Sequence, residues 1–227
     1  MHDLSLEIAS QAARLIVEEG LDYASAKRRV VKDMGLSPSK APMPNNDLLE
    51  QEVRTYINLF CADTQPAELL ALRRTALEWM LRLQEFRPHL AGAVWRGTAT
   101  RLNDIHLQLF CDDSKQTEIE LINRGLDFDI GSQNGFRGDT VDVLSLSVAC
   151  EDLMEEVGLH LVIYDHDDLR GALVGEGKHR KSGQSVQPEQ ALEGPNSHPG
   201  GSLSSQAPQS PIGSIKALQQ LLATLPA

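Results

Sequence analysis

Aromatic side chains make up only 4% of this 227-residue chain, although 41% of it is hydrophobic. A buried core must therefore be built mainly from Leu, Val, Ile and Ala. Long apolar runs are missing too: none approaches the roughly 18 residues that a membrane span needs. The first residues, MHDLSLEIAS, have neither the basic start nor the apolar stretch of a signal peptide. Cysteine is sparse as well. Cys61, Cys111 and Cys150 are odd in number and far apart, which suggests neither a disulfide framework nor a CxxC zinc site. A cytoplasmic protein with reduced thiols and no membrane partner is the expectation.

Positive charge is scarce, and its shortage is local. The net charge is −11, yet residues 1–90 carry only −2 and the tail from 176 carries +1. Residues 91–175 hold 16 acids against 6 bases, a net −10. Such a surface repels phosphate backbones, which argues against nucleic acid as a partner. Most of these carboxylates read as solvated surface; a few could hold divalent metal.

Along the chain, residues 4–19 place Leu4, Ile8, Ala12, Leu15 and Ile16 on one helical stripe that stops at Gly20. A second helix is expected over Tyr23–Met34, then a proline-rich connector, SPSKAPMPNN. A third spans about 48–61 with Asp47 as its cap, and a fourth runs from near Pro66 to Phe86. After Pro88 the pattern becomes short and alternating. HLAGAV and DIHLQLF read as strands, SKQTEIELINRGL as a helix capped by Ser114, and LDFDI, TVDVLSLSVA and LHLVIYD as further strands. GSQNGFRGD and CEDLMEEVG are expected to link them, and DDLRGAL to form a short helix. The fold class expected is α+β. A helical region (1–87) precedes a mixed-sheet α/β domain (88–174), a disordered Gly/Pro/Ser/Gln-rich linker (175–211) and a short C-terminal helix (212–227). That helix either docks, on a partner or on its own domain, or is a frayed end.

One stretch is informative about chemistry: AGAVWRGTATRLNDIHLQLFCDD, residues 91–113. Gly92-Ala93 follows an apolar segment, Arg96-Gly97 comes next, and ten residues separate Ala93 from Asp104. Asn103-Asp104-Ile105-His106-Leu107 opens the following strand. This resembles the signature of the DNA polymerase beta-like nucleotidyltransferase superfamily, in which Gly-Ser precedes an Asp-apolar-Asp/Glu strand. The resemblance covers about 85 residues. It implies a nucleotidyltransferase-like domain binding a nucleoside triphosphate with Mg²⁺ or Mn²⁺. Asp104, His106 and Asp142 (in Val141-Asp142-Val143) would be metal ligands, Asp104 and Asp142 the catalytic pair. Gly92, Ala93, Arg96 and Gly97 would lie against the phosphates.

The spacing has a physical reason. Residues two apart on a strand share a face, so positions 104 and 106 project together. With a carboxylate from a neighbouring strand they could clamp two cations. The chain departs from the pattern twice: Ala93 lacks the hydroxyl, and His106 replaces a carboxylate. Mg²⁺ prefers oxygen ligands, whereas Mn²⁺ or Zn²⁺ tolerates imidazole. Transferase activity is therefore expected to be weakened or lost. The alternative is a non-catalytic interaction or regulatory module on the same fold, with an unknown protein partner and no cofactor.

Asp127 and Asp129 alternate on one strand face and could be rival third carboxylates, but read better as a solvated edge face. Tyr164-Asp165-His166-Asp167-Asp168 resembles a metal cluster but reads better as a strand end, with Asp167 or Asp168 capping a helix. Lys27-Arg28-Arg29 and Lys32 faintly suggest a DNA-reading helix but read better as a solvated helix face, and KHRKSG (178–183) reads as solvated linker.

Overall fold

A computed structural model describes residues 2–136, 138–174 and 210–224. The helix stripes of the first sixty residues close on one another. α1 (His2–Glu19), α2 (Tyr23–Asp33) and α3 (Asn46–Phe60) bury Ile8, Ala12, Leu15, Ile16, Val30, Val31, Leu49, Val53 and Ile57 in a core of their own. Asp22 caps α2 through the N–H groups of Ala24 and Ser25. The cap of α3 is Asn45 rather than the expected Asp47, and it accepts from Leu48 N–H.

α4 (Gln65–Arg82) belongs elsewhere. Its Leu72, Ala76, Trp79 and Met80 pack into the core of a six-stranded mixed sheet. The sheet order is β3-β4-β5-β2-β1-β6. Its strands are β1 (His89–Ala91), β2 (Ile105–Cys111), β3 (Asp129–Asn134), β4 (Thr140–Cys150), β5 (Glu155–Asp165) and β6 (Gly213–Ser214). β2 and β5 run parallel, and every other neighbouring pair is antiparallel. The mixed α/β class expected from the sequence is the one observed.

Several boundaries differ from expectation, each for a local reason. HLAGAV is not one strand, because Gly92 takes a φ of +70° and turns the chain into the five-residue helix α5 (Gly92–Arg96). Gly97, at φ +84°, ends that helix in the left-handed conformation. β3 starts three residues after Leu126 and takes in part of the expected Gly-rich link. β5 starts at Glu155, inside the expected acidic link. α6 (Ser114–Asn123) is capped by Asp113 rather than by Ser114.

Each face of the sheet has a distinct cover. Leu107, Leu109, Leu144, Leu146, Leu159 and Leu161 point to the face carrying α4 and α6. α8 (Ile215–Ala223) docks on that side too, with Leu218 fully buried. On the opposite face, Phe110, Val162 and Tyr164 are covered with Ala172 of α7 (Leu169–Val174) and with Ile212. That cover spans one end only. The other end presents His106, Ser145 and His160. The linker expected to be disordered lies outside the described residues except for 210 and 211, and the basic run 178–183 lies wholly outside them.

Candidate functional site

The turn that follows β1 places four of the sequence-derived residues. A Cβ on Gly92 would stand 3.4 Å from the His106 ring, besides suffering the positive φ, so a glycine suits this junction. Ala93 turns away from the open face: it packs against the main core, and its carbonyl accepts the N–H groups of Gly97 (2.9 Å) and Thr98 (3.0 Å). The last carbonyls of α5 are held by guanidinium groups. Arg73 donates to Val94 O (3.0 Å) and Trp95 O (3.2 Å), and Arg54 donates to Arg96 O (2.7 Å). Burial, reinforced by neighbouring Arg54, lowers the pKa of Arg73 to about 10. The side chain of Arg96 is engaged with the N-terminal helices, its Nε 3.0 Å from Glu50 and its guanidinium 5.5 Å over the Tyr23 ring.

Asp104 and His106 do share a face, as their spacing requires. The group that joins them is His160, which lies beside His106 in the parallel β2–β5 register. The two imidazoles stack with centroids 4.9 Å apart. His160 Nε2 lies 3.0 Å from Asp104 Oδ2, and its Nδ1 lies 2.8 Å from Ser145 Oγ. Ser145 faces His160 directly across the β4–β5 ladder. Gly158 makes this arrangement possible, since a Cβ there would fall 2.5 Å from Asp104 Oδ1.

Electrostatics follow from the geometry. The hydrogen bond from His160 holds the Asp104 carboxyl below its usual value of 3.8, with the charges of His160 and His106 and the Gly158 N–H acting the same way against partial desolvation. His106 is exposed as a residue, with its ring lying against Gly92 and stacked on His160. Desolvation pushes its pKa from 6.5 down to about 4; His160 and Arg96 add to the shift, and Asp104 opposes it. His106 is thus a neutral imidazole near pH 7.

Asp142 does not join them. The unbroken β4–β5 register pairs it with Ile163 and gives it the same parity as Leu144, Leu146 and Val148, which face α4 and α6. Strand alternation sends Ser145, three residues on, to the open face and Asp142 to the other. The reading that brought Asp142 to Asp104 and His106 is therefore corrected. Its error was to take a favourable local motif without the strand parity, which only the pairing register fixes.

The remaining donor set does not fit a divalent ion. Both ring nitrogens of His160 already have partners, and its ring lies flat against His106 rather than converging with it on a common point. Among the described residues, no group of three or more His, Cys, Asp or Glu is placed to hold a metal. A two-cation clamp needs several oxygen ligands in near-octahedral array; Asp104 alone remains.

The other candidates are structural. Asp129 lies on the exposed edge strand β3, and Asp127 precedes it in a loop. Asp165 Oδ1 accepts Asp167 N–H (2.8 Å), so Asp165 rather than Asp167 or Asp168 caps the turn into α7. His160 and Ser145 escaped the sequence reading. The only signal was a histidine within the apolar run LHLVIYD.

Comparison with known proteins adds little. No family model matches the chain, and no curated protein matches it. Among solved structures, Cid1 in complex with the UTP analogue UMPNPP is similar over 42% of this chain and 30% of that one, at 19% identity and a TM-score of 0.30. The match thus spans less than a third of that protein, and a likeness of this size carries no weight for fold or activity.

Proposed function

We propose that residues 88–174 form a nucleotidyltransferase-like scaffold that has lost two-metal transfer chemistry and serves as a non-catalytic interaction or regulatory module. The observation that supports this is the closed chain Ser145–His160–Asp104, with His106 stacked on it, on the face where the motif calls for carboxylates. The motif's own geometry supports the scaffold part: a glycine turn beside the first residues of an antiparallel strand, with Asp104 and His106 on one face. Fold alone does not confer activity.

Charge favours the non-catalytic reading over nucleotide binding. A triphosphate approaching this segment, at net −10, needs cations to offset repulsion. The metal that would supply them has no ligand set among the described residues, and Arg96 is held by Glu50.

Thermal unfolding with each of ATP, GTP, CTP and UTP, with and without Mg²⁺ or Mn²⁺, tests the proposal. No metal-dependent rise in midpoint is expected with any of them. A rise of several degrees that Asp104→Ala abolishes would restore the enzyme reading, with Asp104 as a ligand.

A further inference from the structure

The mismatch between motif and donor set has a specific origin. Three positions meet on the open face: 104, just before β2, 106 on that strand, and 160, directly beside 106 on the parallel neighbour. Adjacent strands stand about 4.8 Å apart, a separation across which two short carboxylates can share one cation. Two of the three positions hold histidine, and these histidines are not spare ligands. In either protonation state His160 uses both nitrogens internally, since Nε2 faces Asp104 and Nδ1 faces Ser145. A metal could take His160 only by breaking one of these bonds and unstacking it from His106.

We infer that position 160, and not 142, is the third corner of this site, and that His106 and His160 together make the site refuse divalent cations. This rests on the scaffold reading above. It commits the protein to a metal-free face, where Ser145 and Asp104 serve to fix His160. It also implies that the backbone is still able to hold a cation once the side chains allow it. Asp142, on the far side of the sheet, has no part in that ability.

The test is Mn²⁺ binding, with Mn²⁺ alone as the probe, followed by electron paramagnetic resonance and by calorimetry on the full chain. His106→Asp combined with His160→Asp is expected to create one saturable site, with affinity at least about tenfold above the parent. Adding Asp104→Asn should abolish it, and adding Asp142→Asn should leave it unchanged. His106→Asn with His160→Asn, neutral and of similar size to the Asp pair, should not bind. Three crowded carboxylates could prevent folding without metal, so the Asp pair is also refolded with Mn²⁺, and the midpoint with and without the ion is compared. A folded Asp pair that shows no gain overturns the inference while leaving the non-catalytic reading intact. Loss of the new site on Asp142→Asn overturns it as well. A parent protein whose midpoint rises with a nucleotide and metal overturns the non-catalytic reading instead, and the Asp pair still reports on position 160.

Discussion

At the scale of single residues, the informative contrast is between Asp104 and His106, two apart on one face and shifted for different reasons. Asp104 is held ionised by a hydrogen bond, whereas His106 is kept neutral chiefly because desolvation penalises its charged form. The sign for His106 can be worked out. The unfolded chain takes up this proton near 6.5, and the folded chain does not until about 4. Between those values the unfolded state binds more protons, so stability falls as the pH drops through the window. Solvent contact screens part of the effect, so only a modest loss is expected. Urea unfolding from pH 7 to 4 should show a steeper decline for the natural protein than for His106→Gln, which cannot titrate. Equal slopes would mean that the ring is not penalised. How much of this was legible beforehand depends on the kind of information needed. That residues 104 and 106 share a face is legible in the sequence, because alternation is a local rule. The place of His160 and the face of Asp142 are not legible there, because both depend on which strand lies beside β2 and in what register. No spacing in the sequence encodes that.

At the scale of elements, periodicity located the helices well and the short strands poorly. α1, α2 and α4 carry stripes long enough to declare themselves. β1 has three residues and α5 five, and a single glycine separates them; no periodic signal develops over such lengths. The C-terminal pair is a further case. The sequence left open whether residues 212–227 dock, and the structure shows β6 closing the edge of β1 and α8 lying on α4. Gly213 is suited to this contact, since a Cβ there would run into the Trp95 ring, whose Nε1 donates to Ser210 O (2.8 Å). The element is thus part of the fold. Leu218 is completely buried within the main core, so Leu218→Ala should cost about 2–5 kcal/mol, the transfer term plus a cavity. Chemical denaturation measures this directly. A loss below about 0.5 kcal/mol, the usual limit for surface substitutions, would show that α8 is loosely attached.

At the scale of the whole molecule, the described residues hold one apolar core within α1–α3 and one on each face of the sheet. The core of α1–α3 is aliphatic, with several alanines, while the sheet core adds Trp79, Trp95 and Phe86 to a larger set of leucines and valines. Between them run mainly polar ties. Arg54 reaches Arg96 O, Glu50 pairs with the Arg96 side chain, and Gly20 fits against Leu102, where a Cβ would sit 2.8 Å from the carbonyl oxygen. A small core joined by partly exposed ion pairs has less to lose on opening than a sheet core with aromatics. Native-state hydrogen exchange should therefore resolve two tiers, with amides of α1–α3 opening at lower free energy than those of β2 and β5. Arg54→Ala removes both a tie to the α5 carbonyl and its pairing with Glu50. In that variant the helical tier should drop by about a further 1 kcal/mol, with the sheet tier unmoved. A single exchange free energy across both regions would show instead that the helices and the sheet unfold together. The Arg96 bridge would then be an integral part of one cooperative core.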